Sequence, residues 1–394
     1  MAFPERLSGL PEYVFPRLRR LIAGIEPGGP EVDLSIGAPR HPFPAFVPGI
    51  IARTAGDFGR YPPNDGTPAL REAVSDWIRR HHGVQVSPAD EIMALNGTRE
   101  GLFNAGLALC PEEKRGRRPV VLVPNPFYQV YAVSALAAFA EPVYVPATRE
   151  SGFLPDYAAL PPDVLDRAAL AFVCSPSNPQ GAVAPEDYLA DLLALAEKHD
   201  FRVLSDECYH DIWRNAPPPG LLGVRERIGA DPERALMFHS LSKRSNLPGL
   251  RSGFVAGGAG AMARIRRLRA YAGAPLPLPI QHASAAVWAD ERHVEENRAL
   301  YLEKYRIADE VFAGLAAHVP PEGGFFLWLE VGDGEAAARE LWRRHGIKVL
   351  PGAYLAREGE EGNPGRAFIR VAMVVPAGAL KVALEQIRST LFDK

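Results

Sequence analysis

The sequence predicts an α/β protein: a large domain on a mostly parallel, helix-covered sheet, joined to a smaller α+β domain. Three observations carry this. Short apolar runs recur along the first two thirds of the chain, and most lead through a polar loop into a helix-length segment, the rhythm of repeated β-loop-α units. Residue types that carry chemistry collect in the loops just after those runs, on the sheet edge where open α/β proteins bind ligands. After Pro279 the texture changes to a long charged helical stretch followed by a few separate strands. With 394 residues, 47% of them hydrophobic, the chain has ample material for a large core.

Residues 1–44 read as an N-terminal arm that shares in the smaller domain. Within it Leu18 to Ile25 has the spacing of a short amphipathic helix, Val32 to Pro39 is a brief strand, and Pro39-Arg40-His41-Pro42-Phe43-Pro44 is too rich in proline to be helical. Residues 45–285 form the large domain. Its first helix opens at Pro68, with Thr67 as N-cap, and runs to Arg80. Strands follow at Glu91–Leu95, Pro119–Val123, Pro142–Val145, Leu170–Cys174, Arg202–Leu204, Ala235–Phe238 and Ser252–Ala256, with helices at Gly101–Leu109, Gln129–Phe139 and Pro185–His199. Residues 286–394 form the smaller domain: a helical stretch from Val287 to His318, a strand at Gly323–Leu329, a helix at Ala336–His345, a strand edge at Ile347–Leu350, a strand at Ala367–Met373 and a last helix at Ala377–Leu391.

Composition narrows the function classes. A formal net charge of -3 gives no broad basic field for nucleic acid, and the basic run Arg264 to Arg269 is one face of a surface helix. Cys110, Cys174 and Cys208 form no CxxC pair, as reduced thiols in a cytoplasm would. The first residues lack the apolar core of a signal peptide, and no apolar run approaches the ~18 residues of a membrane span. A cytoplasmic protein without a metal centre is expected.

Lys243 lies beyond an apolar run, with Ser240 and Ser242 before it and Arg251 further on. Asn96-Gly97-Thr98-Arg99-Glu100 joins a strand to a helix through a glycine turn, which leaves backbone N–H groups free for an anion. Asn178, Asp206, Tyr209 and Tyr128 occupy the same kind of position in other units. Singly, each has a plain reading: Asp206 as a helix N-cap, Asn178-Pro179 as a turn, Tyr128 as a half-buried aromatic, Ser242 as a turn residue, Arg370 as a solvated edge charge. Together they supply what a phosphorylated pyridine aldehyde needs. Lys243 offers an amine to the aldehyde; Asp206 can hold a protonated ring nitrogen; Asn178 and Tyr209 can bond the phenolic oxygen; Tyr128 can lie on the ring face. Ser240, Arg251 and the N–H groups of Thr98 and Arg99 can hold the phosphate.

Ser175-Pro176-Ser177-Asn178-Pro179-Gln180-Gly181, Ser205-Asp206-Glu207-Cys208-Tyr209 and Ser240-Leu241-Ser242-Lys243 with Arg251 resemble, in order and spacing, the signatures of pyridoxal-phosphate aminotransferases of fold type I. The resemblance covers nearly the whole chain. It implies a seven-stranded sheet, pyridoxal 5'-phosphate as cofactor, and Lys243 as the lysine that bonds it covalently and carries the proton. Asp206 becomes the ring-nitrogen partner, and Asn178 and Tyr209 the phenolic-oxygen contacts. Tyr61 becomes the tyrosine that reaches the phosphate of the neighbouring subunit in a homodimer with shared active sites. Arg370, aided by backbone at Gly37, becomes the holder of the substrate α-carboxylate. His239-Ser240-Leu241-Ser242-Lys243-Arg244-Ser245-Asn246 and Pro351-Gly352-Ala353-Tyr354-Leu355-Ala356-Arg357 are similar to the bacterial succinyldiaminopimelate aminotransferase subgroup. That similarity implies amino exchange between N-succinyl-LL-2,6-diaminopimelate and 2-oxoglutarate in lysine biosynthesis, with Arg40, Arg244 and Arg357 as candidates for the distal carboxylate. Other readings on the same fold are an acetylornithine, aspartate or alanine aminotransferase, a C–S lyase, or a regulatory relative without turnover.

Overall fold

The computed structural model describes residues 5, 10, 12–360 and 362–393. Strand β1 (Val32–Asp33) lies in the arm. The main sheet holds β2 (Ile92–Leu95), β3 (Val120–Asn125), β4 (Glu141–Pro146), β5 (Ala168–Cys174), β6 (Arg202–Asp206), β7 (Ala235–Ser240) and β8 (Gly253–Gly257), in the order β2-β8-β7-β6-β5-β3-β4. Its strands are parallel except that β8 runs opposite to both neighbours, β2 and β7. This is the seven-stranded, mostly parallel sheet expected from the sequence. Every residue of β2, β3, β5 and β7 is buried, because helices cover both faces; hence these strands read as continuous apolar runs without alternation. Two apolar clusters pack against the sheet. One is centred on Trp77, Ile78, Phe201 and Trp288, the other on Leu102, Tyr131, Phe172 and Met262.

The smaller sheets hold β9 (Phe326–Glu330), β10 (Ile347–Lys348), β11 (Leu350–Pro351) and β12 (Phe368–Ala372). β12 is central and antiparallel to both β11 and β9, while β1 pairs with β10 in parallel.

The local signals explain most element boundaries. Thr67 Oγ1 accepts from Leu70 N at 3.4 Å, Pro68 opens the helix Pro68–His82, and Gly83 closes it in the left-handed region. Three expectations need correcting. The strand at Val32–Pro39 stops at Asp33, because the Asp33 carboxylate accepts from the Ser35 N–H (2.9 Å) and hydroxyl (2.7 Å) and turns the chain. The stretch Val287–His318 is not one helix: Leu278–Ala289 ends before Asp290, whose carboxylate accepts from His293 N–H (3.2 Å), and Arg292–Val311 begins anew. Ile347–Leu350 divides between two sheets, since Val349 separates β10 from β11. Among the described residues no helix is long and apolar enough to cross a membrane.

Candidate active site

The chain direction of each strand decides which loop reaches the site. β2, β3, β5, β6 and β7 all end on one edge of the main sheet; antiparallel β8 begins there, so Arg251 reaches the same edge from the loop before its strand. A cavity of about 520 Å³ opens at this edge, and Lys243, Asp206, Asn178, Tyr209, Tyr128, Thr98, Arg99, Ser242, Arg251, Arg370 and Gly37 all line it.

Lys243 stands in a short helix, Leu241–Arg244, where an open loop was expected. Its Nζ donates to the Gly37 carbonyl and sits 5.4 Å from the centre of the Phe325 ring. Burial brings its pKa down to about 8, and the nearby Arg370, Arg251 and Arg99 guanidinium groups push the same way. Asp206 ends β6 and is 5% exposed. Its Oδ2 accepts from the Tyr131 hydroxyl at 2.7 Å and its Oδ1 from Cys208 N at 3.3 Å. Burial raises the Asp206 carboxyl, against the lowering effect of these bonds. Among the described residues no lysine or arginine pairs with it.

The helix Thr98–Leu109 begins at Gly97 with no side chain capping it. Gly97 has φ +80°, and a Cβ there would collide with the Arg251 guanidinium. Arg251 itself adopts the left-handed region and donates to Asn96 O (3.1 Å) and Pro248 O (2.9 Å). An uncapped helix N-terminus beside an arginine is a cradle for a phosphate. Arg99 Nε donates to the Tyr128 hydroxyl at 2.6 Å.

Arg370 comes from β12, so the three-stranded sheet β11-β12-β9 completes the cavity. It is 5% exposed. Its Nη1 donates to Asn178 Oδ1 (3.0 Å) and its Nη2 to Ser35 O (2.7 Å), and the guanidinium lies 4.2 Å from the centre of the Phe326 ring. Burial lowers its pKa to about 10. Its Nε has no partner, and among the described residues no carboxylate pairs with it.

Five residues singled out in the sequence do not line the cavity. Ser240 does not line it: its hydroxyl donates to Ser252 O (3.0 Å) and accepts from Ser242 N (3.1 Å), capping the lysine helix, and Ser242 is the serine that reaches the cavity. Arg244 is fully buried and turned away, donating to Val287 O at 3.0 Å. Arg40 donates to Asp33 O (3.3 Å) and Arg357 to Ala356 O (3.2 Å); neither lines the cavity. Tyr61 is fully exposed and also lies outside it. Reasoning from sequence missed Tyr131 as the Asp206 partner, although it lies one helical turn beyond Tyr128. It also missed Tyr13, Phe15 and Phe326 in the lining.

An amine with a lowered pKa, a buried carboxylate without a counter-ion and an anion cradle on one cavity fit pyridoxal phosphate group by group. The family model for aminotransferase class I and II matches residues 30–387. The chain belongs to the class I and II aminotransferases. As a member of that family the aminotransferase uses pyridoxal 5'-phosphate. It is 32% identical to the LL-diaminopimelate aminotransferase of Dehalococcoides mccartyi over 98% of each chain, and 33% identical to that of Desulforudis audaxviator over 99% of each. Among solved structures, an aminotransferase from Neisseria meningitidis superposes with a TM-score of 0.94 at 37% identity, covering 99% of this chain and 100% of that one. A probable N-succinyldiaminopimelate aminotransferase from Thermus thermophilus superposes with a TM-score of 0.85 at 27% identity, covering 96% of this chain and all of the other.

Proposed function

We propose that the aminotransferase exchanges the amino group of N-succinyl-LL-2,6-diaminopimelate with 2-oxoglutarate, in the cytoplasm, as a step of lysine biosynthesis. The observation that carries the choice is the charge of the cavity wall. Among the described lining residues Asp206 is the only carboxylate, and it is already bonded by Tyr131 and Cys208, whereas Arg99 and Arg370 are both cations. A free distal ammonium would find no anion there. An acylated nitrogen carries no charge, and the additional carboxylate of the succinyl group suits a cationic wall. The names of the sequence relatives favour unsuccinylated LL-diaminopimelate as the second reading.

Bound pyridoxal phosphate supplies the carbonyl that receives the amino group and the ring that withdraws electrons from the substrate Cα. Lys243 is the amine that would bond the cofactor and, once free, would take up and return the substrate Cα proton. Asp206, oriented by Tyr131, holds the ring nitrogen protonated. Asn178 and Tyr209 hold the phenolic oxygen, and Tyr128 covers the ring. The first-turn N–H groups of Thr98 and Arg99, with Ser242 and Arg251, hold the phosphate. Arg370 orients both substrates through the shared α-carboxylate, and Arg99, the other cation of the wall, would meet the distal one. The chain divides into an arm at 1–44, a cofactor domain at 45–285 and a smaller domain at 286–394, and it forms a homodimer in which the exposed Tyr61 reaches the partner's phosphate.

A half-reaction screen separates the two readings. Holoenzyme is mixed with glutamate, N-succinyl-LL-diaminopimelate, LL-diaminopimelate, acetylornithine or aspartate, and the conversion of aldehyde to amine cofactor is followed by absorbance. Glutamate and the succinylated compound are expected to convert the cofactor at least tenfold faster than the rest. A faster reaction with unsuccinylated LL-diaminopimelate sinks the preferred reading.

A further inference from the structure

Outside the cavity, His82, Glu207 and His210 bring three ligand-type atoms within 4.8 Å of one another. His82 ends the helix Pro68–His82, and Glu207 and His210 stand in the turn after β6. Each has an enclosed atom without a partner: His82 Nε2, Glu207 Oε2 and His210 Nδ1. Glu207 is 1% exposed and His210 2% exposed. Their other polar atoms are engaged. Glu207 Oε1 accepts from Leu221 N at 3.0 Å, and His210 Nε2 lies 3.1 Å from the Pro218 carbonyl. A carbonyl can only accept, so in the neutral ring Nε2 carries the hydrogen and Nδ1 keeps its lone pair. Metal-bound imidazoles are oriented by carbonyl partners in just this way. Gly220 makes room for the cluster, since a Cβ there would run into the His82 ring.

Charge singles out this cluster. Its neighbour, His81 with Asp211 and Glu291, is already neutralised. Glu291 pairs with Arg244 (3.1 Å) and Arg80 (3.3 Å), and Asp211 lies 2.8 Å from His239 and 3.6 Å from Arg244. Among the described residues no lysine or arginine pairs with Glu207. A buried carboxylate facing two imidazole nitrogens needs a cation or a proton between them.

We propose that His82, Glu207 and His210 bind a divalent transition-metal ion, zinc by ligand type, with water at the fourth position. Two imidazoles and a carboxylate form a three-ligand zinc set, and Zn–N and Zn–O distances of about 2 Å require the three atoms to draw together by roughly an ångström. The ion would pin the end of the helix Pro68–His82 to the turn that follows Asp206 and carries Tyr209. It is a positioning centre for that loop and takes no part in the proton chemistry.

The test uses chelator-treated, desalted holoenzyme titrated with zinc, reading bound metal by mass spectrometry and the thermal unfolding midpoint. The expected result is one tightly held zinc per chain and a midpoint that rises with zinc concentration. His82→Gln, His210→Gln and Glu207→Gln are each expected to weaken binding by about 100-fold or more, with far-UV circular dichroism retained. Glu207→Gln keeps an acceptor for the Leu221 N–H and removes only the charge. If His210→Gln does not fold, His82→Gln, at a half-buried helix end, decides alone. Failure of the wild type to hold zinc at low micromolar concentrations would mean that the cluster shares a proton instead. Undiminished binding in His82→Gln would place the metal elsewhere. Either result overturns the proposal.

Discussion

Lys243→Ala is expected to lower transamination by about 10,000-fold and to remove the visible absorbance of the lysine-bound cofactor. Two losses combine: the covalent attachment and the proton carrier, the latter contributing up to about 10⁴-fold alone. Among the described lining residues none is a replacement base with a similar pKa. Tyr209 and Tyr131 are held well above the ordinary tyrosine value by burial, and Arg370 stays a cation at about 10. The substitution removes a side chain whose Nζ bonds only the Gly37 carbonyl, so the fold is expected to persist. A variant that keeps both absorbance and turnover would remove Lys243 from the chemistry. The same amine sets a pH dependence. Burial lowers its pKa to about 8, and only the neutral amine attacks an aldehyde. Reconstitution of apoenzyme with pyridoxal phosphate should therefore quicken about tenfold per pH unit up to pH 8 and level off above it. A rate still climbing beyond pH 10 would mean an ordinary, solvated lysine.

Arg370→Ala is expected to raise KM for both the amino donor and 2-oxoglutarate by about 100-fold, on the order of 3 kcal/mol for a lost charge-assisted pair in a buried site. Arg370→Lys restores the charge without the planar fork and should recover only part of the loss. Equal effects on the two substrates are the signature, because both present the same α-carboxylate. A change confined to one substrate would move Arg370 to a distal role. In the resting site the guanidinium is held by the neutral acceptors Asn178 Oδ1 and Ser35 O, so an incoming carboxylate meets a positioned cation that no internal anion has to release.

Much of this was legible in the sequence because strand ends and loop chemistry are local. The apolar runs of β2, β3, β5 and β7 are too continuous for a half-exposed sheet, and Asn178, Asp206 and Lys243 all lie at a strand end or within a few residues beyond one. The parts that escaped depend on the third dimension. Whether Ser240 or Ser242 faces the cavity turns on a one-turn helix that Ser240 caps. The fate of Arg244 turns on Val287 and Glu291, which approach it only after the chain has folded. Tyr131 carries no local signal of its role, and its bond to Asp206 required β6 and the helix Val130–Ala137 to be docked.

The parallel pairing of β1 with β10 bears on the order in which the enzyme can be made. Val32 and Asp33 find their partners only at Ile347 and Lys348, yet the arm around β1 brings Tyr13, Phe15, Ile36 and Gly37 to the cavity. A ribosome that has released residues up to 285 has emitted the whole main sheet, with Lys243, Asp206 and Arg251 in place. β1, though emitted earlier, still has no strand to rest on. The lysine is thus built before its Gly37 acceptor is anchored, and Val32 and Asp33, made long before Ile347 and Lys348, are seated only once those partners exist.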